Sequence, residues 1–521
     1  MFARILTVAA VAGALLLEGC AIIPTNASTN GRLAEAKEGK KEGKKVPQAS
    51  FRIRESRKAG PEPRVLVLLA LSGGGLRAAY FSARTMFALR RVPGPDGKPI
   101  DVLKDVDLIS SVSGGSLAAA YYASTYDPSD KDKPFGRRVW DEGTVTDLMS
   151  TNYINRWFWN WFWPQNILRF WFTYYDRTDI MADTFADNFF DNRVSTINLD
   201  MSDLNPARPN LVLNATVGGR SYGRDRGQAR TKRFGSVFTF TEEDFSAKLN
   251  SDVGSYELAR AVMASATFPA AFNYMTLEDF HAPECLDHEG KCYLHLFDGG
   301  NSDNLGLVSL KRVLLGDFAA AVKKYDRIVV ILVDAFRESL GANPASPNPR
   351  KLMDYFVDTN FLDATDSLLE ANRGRILNDF RSRDIANYSE PEECERHNLP
   401  DDTCTGSETW RLRNGPTKEQ LARDLTSKMY FFHVTFNAVT DPENRARLNS
   451  IPTTFSLEEH EMDTIRKGVD NIFSAANRYT YACVQLLGAI MAGAGSAPAA
   501  LSGNPWCGVE PVKEKGGAQR R

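Results

Sequence analysis

Three short stretches of this 521-residue chain hold residue types that can do nucleophilic chemistry. The first is "LISSVSGGSLAAAYYAS", from Leu108 to Ser124, in which Ser113 follows an apolar run and precedes an alanine-rich one. That pattern reads as strand, sharp turn and helix. A turn of this kind throws a side chain up at the carboxyl end of the strand, where a serine can attack. The stretch is close to G-x-S-x-G, with Ser111 where the first glycine would stand and with Gly114 and Gly115 after the serine. The plain alternative is a small residue in a tight loop.

The second stretch, "LSGGGLRAA", follows another apolar run directly and opens another helix. Backbone N–H groups at a helix N-terminus favour developing negative charge, and glycine lets the reacting centre come close to them. Gly73, Gly74 and Gly75 are therefore candidates for an oxyanion hole. The rival is a phosphate cradle, but the Lys-Ser/Thr of a nucleotide loop and the third spaced glycine of a dinucleotide loop are both missing. A structural turn is the plain reading.

The third stretch is "LHLFDGGNSDNLGL", in which Asp298 ends an apolar strand and Gly299 and Gly300 follow. A serine hydroxyl needs a base to become a good nucleophile, and in most triads that base is histidine. None of the six histidines sits in a suitable end-of-strand setting late in the chain. His433, inside "YFFHVTF", reads as a packed side chain. Asp298 is left as the base.

Taken in order, the glycine run with its arginine, "SVSGGS" and "DGG" resemble the patatin-like phospholipases. The likeness spans about residues 65–310 and, more loosely, 445–475, and it extends to "DRTDIMADTFADNFFD", "VLNATVGGR", "ASATFPAAF" and "DNLGL". The resemblance implies a three-layer α/β/α domain with a mainly parallel central sheet and helical insertions. It implies a lipid acyl hydrolase working through a Ser-Asp dyad, without metal or other cofactor. Ser113 would be the nucleophile and Asp298 its base. The amides of Gly73, Gly74 and Gly75 would line the oxyanion hole, and Arg77 would support that loop or meet a lipid phosphate. The expected substrates are the carboxylic esters of membrane phospholipids or lysophospholipids. A serine amidase or peptidase, and a non-catalytic binding protein on the same fold, are the competing classes.

Positioning such residues needs alternating strands and helices, and the sequence supplies them. "RVLVLLAL", "VDLISSV", "PNLVLNATV" and "RIVVILVDA" are apolar runs, as expected of strands buried on both faces, and helical spacing follows the first two. "KMYFFHVTF" is one more strand, followed by a helix through "LEEHEMDTIRKGVDNIFSAA". The expected boundaries are a catalytic domain over 63–320, a C-terminal part of the same fold over 321–480 with a polar helical insertion at 337–430, and a tail over 481–521. Between the second helix and "PNLVLNATV" comes "RWFWNWFWPQNILRFWFTYY", an aromatic insertion near 151–175. Its aromatics surround the helix rather than forming one stripe. That favours a surface dipping into a bilayer over a core element, with Arg156 and Arg169 available to lipid phosphates.

Net charge is −2 and unevenly spread. From Arg32 to Lys58 there are ten Lys/Arg against four Asp/Glu. The remainder is acidic, which argues against nucleic-acid binding. Residues 20–62 read as a charged, flexible tether. Ahead of it, "MFARILTVAAVAGALLLEGC" has a positive start and an apolar run too short to span a bilayer. Its end resembles the lipobox of bacterial lipoproteins. Residues 1–19 would then be a signal peptide and Cys20 the acylated residue, anchoring the protein to a bacterial membrane. Ala21 is compatible with outer-membrane sorting, facing the periplasm or the cell surface. The six other cysteines fit an oxidising compartment, and proximity favours the pairs Cys285–Cys292, Cys394–Cys404 and Cys483–Cys507. No C-x-x-C spacing suggests a metal.

Overall fold

The computed structural model describes residues 29–33, 48–53, 64–131, 133, 137–190, 198–220, 235–269, 271–280, 293–316, 322–337, 359–381, 385, 418–493 and 507. The sequence-based expectations for the signal peptide, for Cys20, and for Cys285, Cys292, Cys394 and Cys404 lie outside them.

The centre is an eight-stranded sheet. Its strands are β1 (Val65–Leu71), β2 (Leu108–Val112), β3 (Asn210–Arg220), β4 (Val237–Thr239), β5 (Met275–Glu278), β6 (Tyr293–Asp298), β7 (Arg327–Asp334) and β8 (Met429–Thr435). Spatial order is β8-β7-β1-β2-β3-β6-β5, with β4 beside β3. The five strands β8 to β3 run parallel, and β6, β5 and β4 pair antiparallel. Helices α1 (Gly75–Leu89) and α2 (Gly114–Ser124) make the crossovers from β1 to β2 and from β2 to β3. Later strands β7 and β8 add to the other side of β1. The direction of growth thus reverses beside β1, and ligand crevices form at the carboxyl ends of strands at such a reversal.

Alternation along β1 explains its unbroken apolar run. Val67, Leu69 and Leu71 join one buried cluster with α1 and α2, while Leu66, Leu68 and Ala70 join a second cluster with α8 (Leu307–Leu315) and Phe380 of α9 (Thr359–Arg381). Both faces are covered, so neither tolerates polar residues. This is the three-layer α/β/α arrangement that the sequence suggests. Five further helices complete the frame: α3 (Glu142–Met149), α4 (Tyr153–Trp161), α5 (Pro164–Phe172), α6 (Arg177–Phe185) and α7 (Leu258–Ser265). Past the sheet come α10 (Glu459–Phe473) and α11 (Arg478–Met491), and a disulfide joins Cys483 to Cys507.

One expectation needs correction. The tether over 20–62 is not continuous: Gly31–Arg32 pairs antiparallel with Ser251–Asp252, and Ala49, Phe51 and Ile53 are buried. Phe51 lies in the second cluster with the Arg312 guanidinium over its ring. A few apolar residues scattered among charges were enough to bury these segments. Within the 337–430 stretch, the described α9 packs on the domain, in keeping with a part of the same fold. Ile376, Leu377 and Phe380 of α9 are buried, and the Asn372 side chain donates to the Ser302 carbonyl at 2.6 Å.

Candidate active site

Ser113 is the single residue between β2 and α2, with φ 50° and ψ −122°. Positive φ is costly for a residue with a Cβ, and surrounding contacts must hold it there. They do. The Ser113 amide donates to Ser265 Oγ at 2.9 Å, and the Ser265 hydroxyl donates to the Asn214 carbonyl at 2.6 Å. The turn leaves no room for side chains after the serine. A Cβ on Gly114 would overlap the Gly75 carbonyl, and one on Gly115 would come within 2.6 Å of the Ser72 carbonyl. Ser111, where a glycine was expected, is fully buried and accepts from Ser116 Oγ at 3.1 Å. Its hydroxyl is thus satisfied by the polar cluster that supports the turn.

Register brings Asp298 to the serine. Val112, just before Ser113, is level with Asn214 of β3, and Asp298 is level with Ala215 on the other side of the same strand. Ser113 Oγ donates to Asp298 Oδ2 at 2.7 Å. The other carboxylate oxygen accepts the Gly300 amide at 2.7 Å. Gly299 must be glycine because its Cα lies against the Asn214 carbonyl. Burial pushes the Asp298 carboxyl up from the ordinary value of 3.8 to about 6, against the pull of the Gly300 and Ser113 hydrogen bonds. A carboxylate in that range is a better base than one in water and is still ionised at neutral pH. Among the described residues no histidine touches Ser113. His433 is buried with Nε2 3.0 Å from Asp334 Oδ2. His295 sits against Thr276 and Tyr274.

The glycine run meets this turn from β1. Gly73 needs its missing side chain, since a Cβ would lie 3.1 Å from Ser113 Cβ and would overlap Asn304. Its amide, however, donates to the Asn304 carbonyl at 3.0 Å, so Gly73 does not offer the free N–H expected of an oxyanion donor. Gly74 and Gly75 have φ 137° and 60°, and among the described residues their amides and that of Gly114 have no acceptor. Three unengaged amides at the starts of α1 and α2 could therefore receive an oxyanion, with Gly114 taking the part expected of Gly73. Arg77 is buried and donates to the Ile451 carbonyl at 2.5 Å. This bond ties Arg77 to the loop around Ile451. Nearby, the Leu76 amide donates to the Thr454 carbonyl at 2.7 Å. Residues 451–455 thus brace the glycine run from 374 residues downstream.

The aromatic insertion forms the hairpin α4–α5. Tyr153 is its buried residue on α4, and α5 buries none. Phe158, Trp159, Phe162, Trp163, Trp171 and Phe172 are between 50% and 73% exposed, so the core reading fails. At its root, Trp157 meets Phe272 with ring centres 5.7 Å apart, and Phe272 meets Phe455 at 6.0 Å. The hairpin is thereby in packed contact with the residues that brace the glycine run. Behind it, Asp176 caps α6, and Asp179 pairs with the buried Arg260 at 2.6 Å. Among the described residues no helix is long and apolar enough to cross a membrane, and no cluster of His, Cys, Asp and Glu could hold a metal.

Ser265, Asn214, Asn304 and Thr454 escaped the sequence reading, although "ASATFPAAF" and "DNLGL" already stood out as stretches. Their work is done across the fold, and spacing along the chain does not display it.

No curated protein matches this chain. Among solved structures, VipD from Legionella pneumophila aligns at 14% identity over 84% of this chain and 72% of that one, with a TM-score of 0.24. The model of one family, described as patatin-like phospholipase, matches residues 69–311, the stretch that runs from β1 into α8 and holds both Ser113 and Asp298.

Proposed function

We propose that this protein is a lipid acyl hydrolase that cleaves carboxylic esters of phospholipids or lysophospholipids through an acyl-serine intermediate. The observation that carries the reading is the 2.7 Å contact between the strained, strand-end Ser113 and the buried Asp298. The patatin-like match supports the lipid acyl hydrolase class.

Asp298 accepts the Ser113 proton as Oγ attacks the ester carbonyl. The amides of Gly74, Gly75 and Gly114 meet the tetrahedral oxyanion, usually the larger electrostatic contribution. Collapse expels the alcohol, which takes the proton back from Asp298 and leaves the acyl group on Ser113. Water then attacks, Asp298 takes its proton, and the fatty acid leaves as Oγ is reprotonated. The exposed hairpin serves as the surface that enters the bilayer where the substrate lies. Cys20 serves as the acylated anchor, placing the protein on a bacterial membrane, and Cys20→Ser would release it to the soluble fraction or block its maturation.

Labelling by a fluorophosphonate probe, alongside a panel of lipid, short-ester and peptide substrates, tests the reading. Ser113→Ala and Asp298→Asn are each expected to abolish ester turnover, and the double variant to be no worse than either. Full turnover by Asp298→Asn would show that another group is the base.

A further inference from the structure

At the foot of the aromatic hairpin lies a cleft of about 460 Å³ whose charges are one-sided. Lys133, Arg137, Arg138 and Arg156 line it, against one carboxylate, Asp147. Like charges gathered in a concave space repel one another, and the field they focus favours an anionic occupant. Arg137 points the same way. One of its terminal nitrogens pairs with Asp203, while Nη1 is buried and lacks an acceptor among the described residues. A buried charged donor without an acceptor is costly, so Arg137 adds incompletely compensated positive charge to the wall of the cleft. Lys133 and Arg156 face no carboxylate partner among the described residues; Arg156 donates to the Asn188 side chain instead.

Arg156 also belongs to α4, and this joins the cleft to the hairpin. Trp159 stands three residues further on, so the cation and the indole share one helix face. Trp163 follows as the N-cap of α5. Trp159 is 65% exposed and Trp163 60%. Exposed indoles beside arginine and lysine suit the headgroup level of a bilayer, where one edge is apolar and the other wet. The combination fits a phosphate carried by a lipid better than one free in solution.

We propose that this cleft binds the headgroup of an anionic phospholipid in the bilayer that the hairpin enters, so that docking depends on lipid charge. The proposal rests on the hairpin part of the reading above and on no step of catalysis.

The test uses the full chain with Cys20→Ser, so that no acyl chain contributes to binding. Sedimentation is compared on vesicles of phosphatidylcholine alone and of phosphatidylcholine mixed with phosphatidylglycerol. The mixed vesicles should bind about ten- to thirty-fold more tightly, as expected of two or more cations at an anionic surface. Lys133→Gln with Arg156→Gln should remove most of that preference, and Arg156→Glu, an equal change in charge, should remove a comparable share, with the melting temperature held as the check on folding. Equal binding to both vesicles, or a preference untouched by these variants, overturns the proposal. So does a cleft that inorganic phosphate saturates while the vesicles show no preference, since that would make it a site for small free anions. Turnover of a short soluble ester is read in parallel on the unaltered protein. Its absence would defeat the hydrolase reading and leave the headgroup site standing.

Discussion

Ser265 Oγ holds the backbone amide of Ser113 at 2.9 Å, and through that one bond the end of α7 fixes a backbone angle that serine alone would not choose. The same hydroxyl donates to the Asn214 carbonyl and lies 2.9 Å from Ser116 Oγ. Ser265→Ala would leave the Ser113 amide and the Asn214 carbonyl buried without a partner. The expected cost is about 1–3 kcal/mol of stability. Turnover should fall about 10- to 100-fold because Oγ swings out of line with Asp298. The split between kcat and KM checks this: a fall in kcat with KM nearly unchanged separates a misplaced nucleophile from a damaged binding surface.

The raised pKa of Asp298 gives opposite signs for activity and stability. The base works ionised, so kcat/KM should fall about tenfold per pH unit below an apparent pKa of about 6. Stability runs the other way. A carboxyl whose folded pKa lies above its unfolded value holds its proton more tightly in the folded state. Its contribution is present below about pH 4 and is lost as pH rises through 6. Asp298→Asn should therefore be inactive yet more stable than the parent at pH 8, by up to about 3 kcal/mol. The gap should close as pH falls from 6 towards 4. Melting curves of both proteins across this range decide it, and a destabilised Asp298→Asn at pH 8 would contradict the assignment of burial as the cause.

Glycines in this chain should differ sharply in what they tolerate. Gly114→Ala sets a methyl group against the Gly75 carbonyl, and neither backbone can withdraw without opening the site. Loss of activity and at least about 3 kcal/mol of destabilisation are expected. Gly97, at φ 78°, has open space around its Cα, so Gly97→Ala should cost about 1 kcal/mol from backbone strain alone. Urea denaturation of the two variants makes the comparison.

Trp159→Ala with Trp163→Ala removes exposed area and little packing. Hydrolysis of liposomal lipid should slow at least about tenfold, while a short soluble ester is turned over at close to the parental rate. Equal losses on both substrates would remove the hairpin from any part in reaching the bilayer.

Much of this arrangement was legible because it is local. β1 and β2 announce themselves as apolar runs ending in glycine or serine, and Ser113 and Asp298 stand where those runs and β6 stop. The aromatics of α4 and α5 are too many for one contact face to cover, and the structure leaves Phe158, Trp159, Phe162, Trp163, Trp171 and Phe172 exposed. What stayed hidden depends on the meeting of distant segments. Ser113 and Ser265 are 152 residues apart in sequence, and the Gly73 amide is taken by Asn304. No periodicity marks either contact. Phe51 was hidden for another reason: a single aromatic in a basic stretch has too little pattern around it to outweigh the charge.

The brace at residues 451–455 means that the stretch matched by the patatin-like family model is shorter than the unit able to fold. A fragment ending near residue 311 would keep both Ser113 and Asp298. It would lose β7, which pairs with β1 along seven residue positions from Arg327 to Val333, and the bond from the Ser72 amide to the Val333 carbonyl. It would also lose the carbonyls of Ile451 and Thr454, which hold Arg77 and Leu76. An open sheet edge would then lie next to a glycine run held at Gly73 but no longer braced beyond it. Insertions and deletions are therefore poorly tolerated at the junction from β8 into α10, where a one-residue slip would shift Thr454 off Leu76 and unsettle the glycine run beside Ser113.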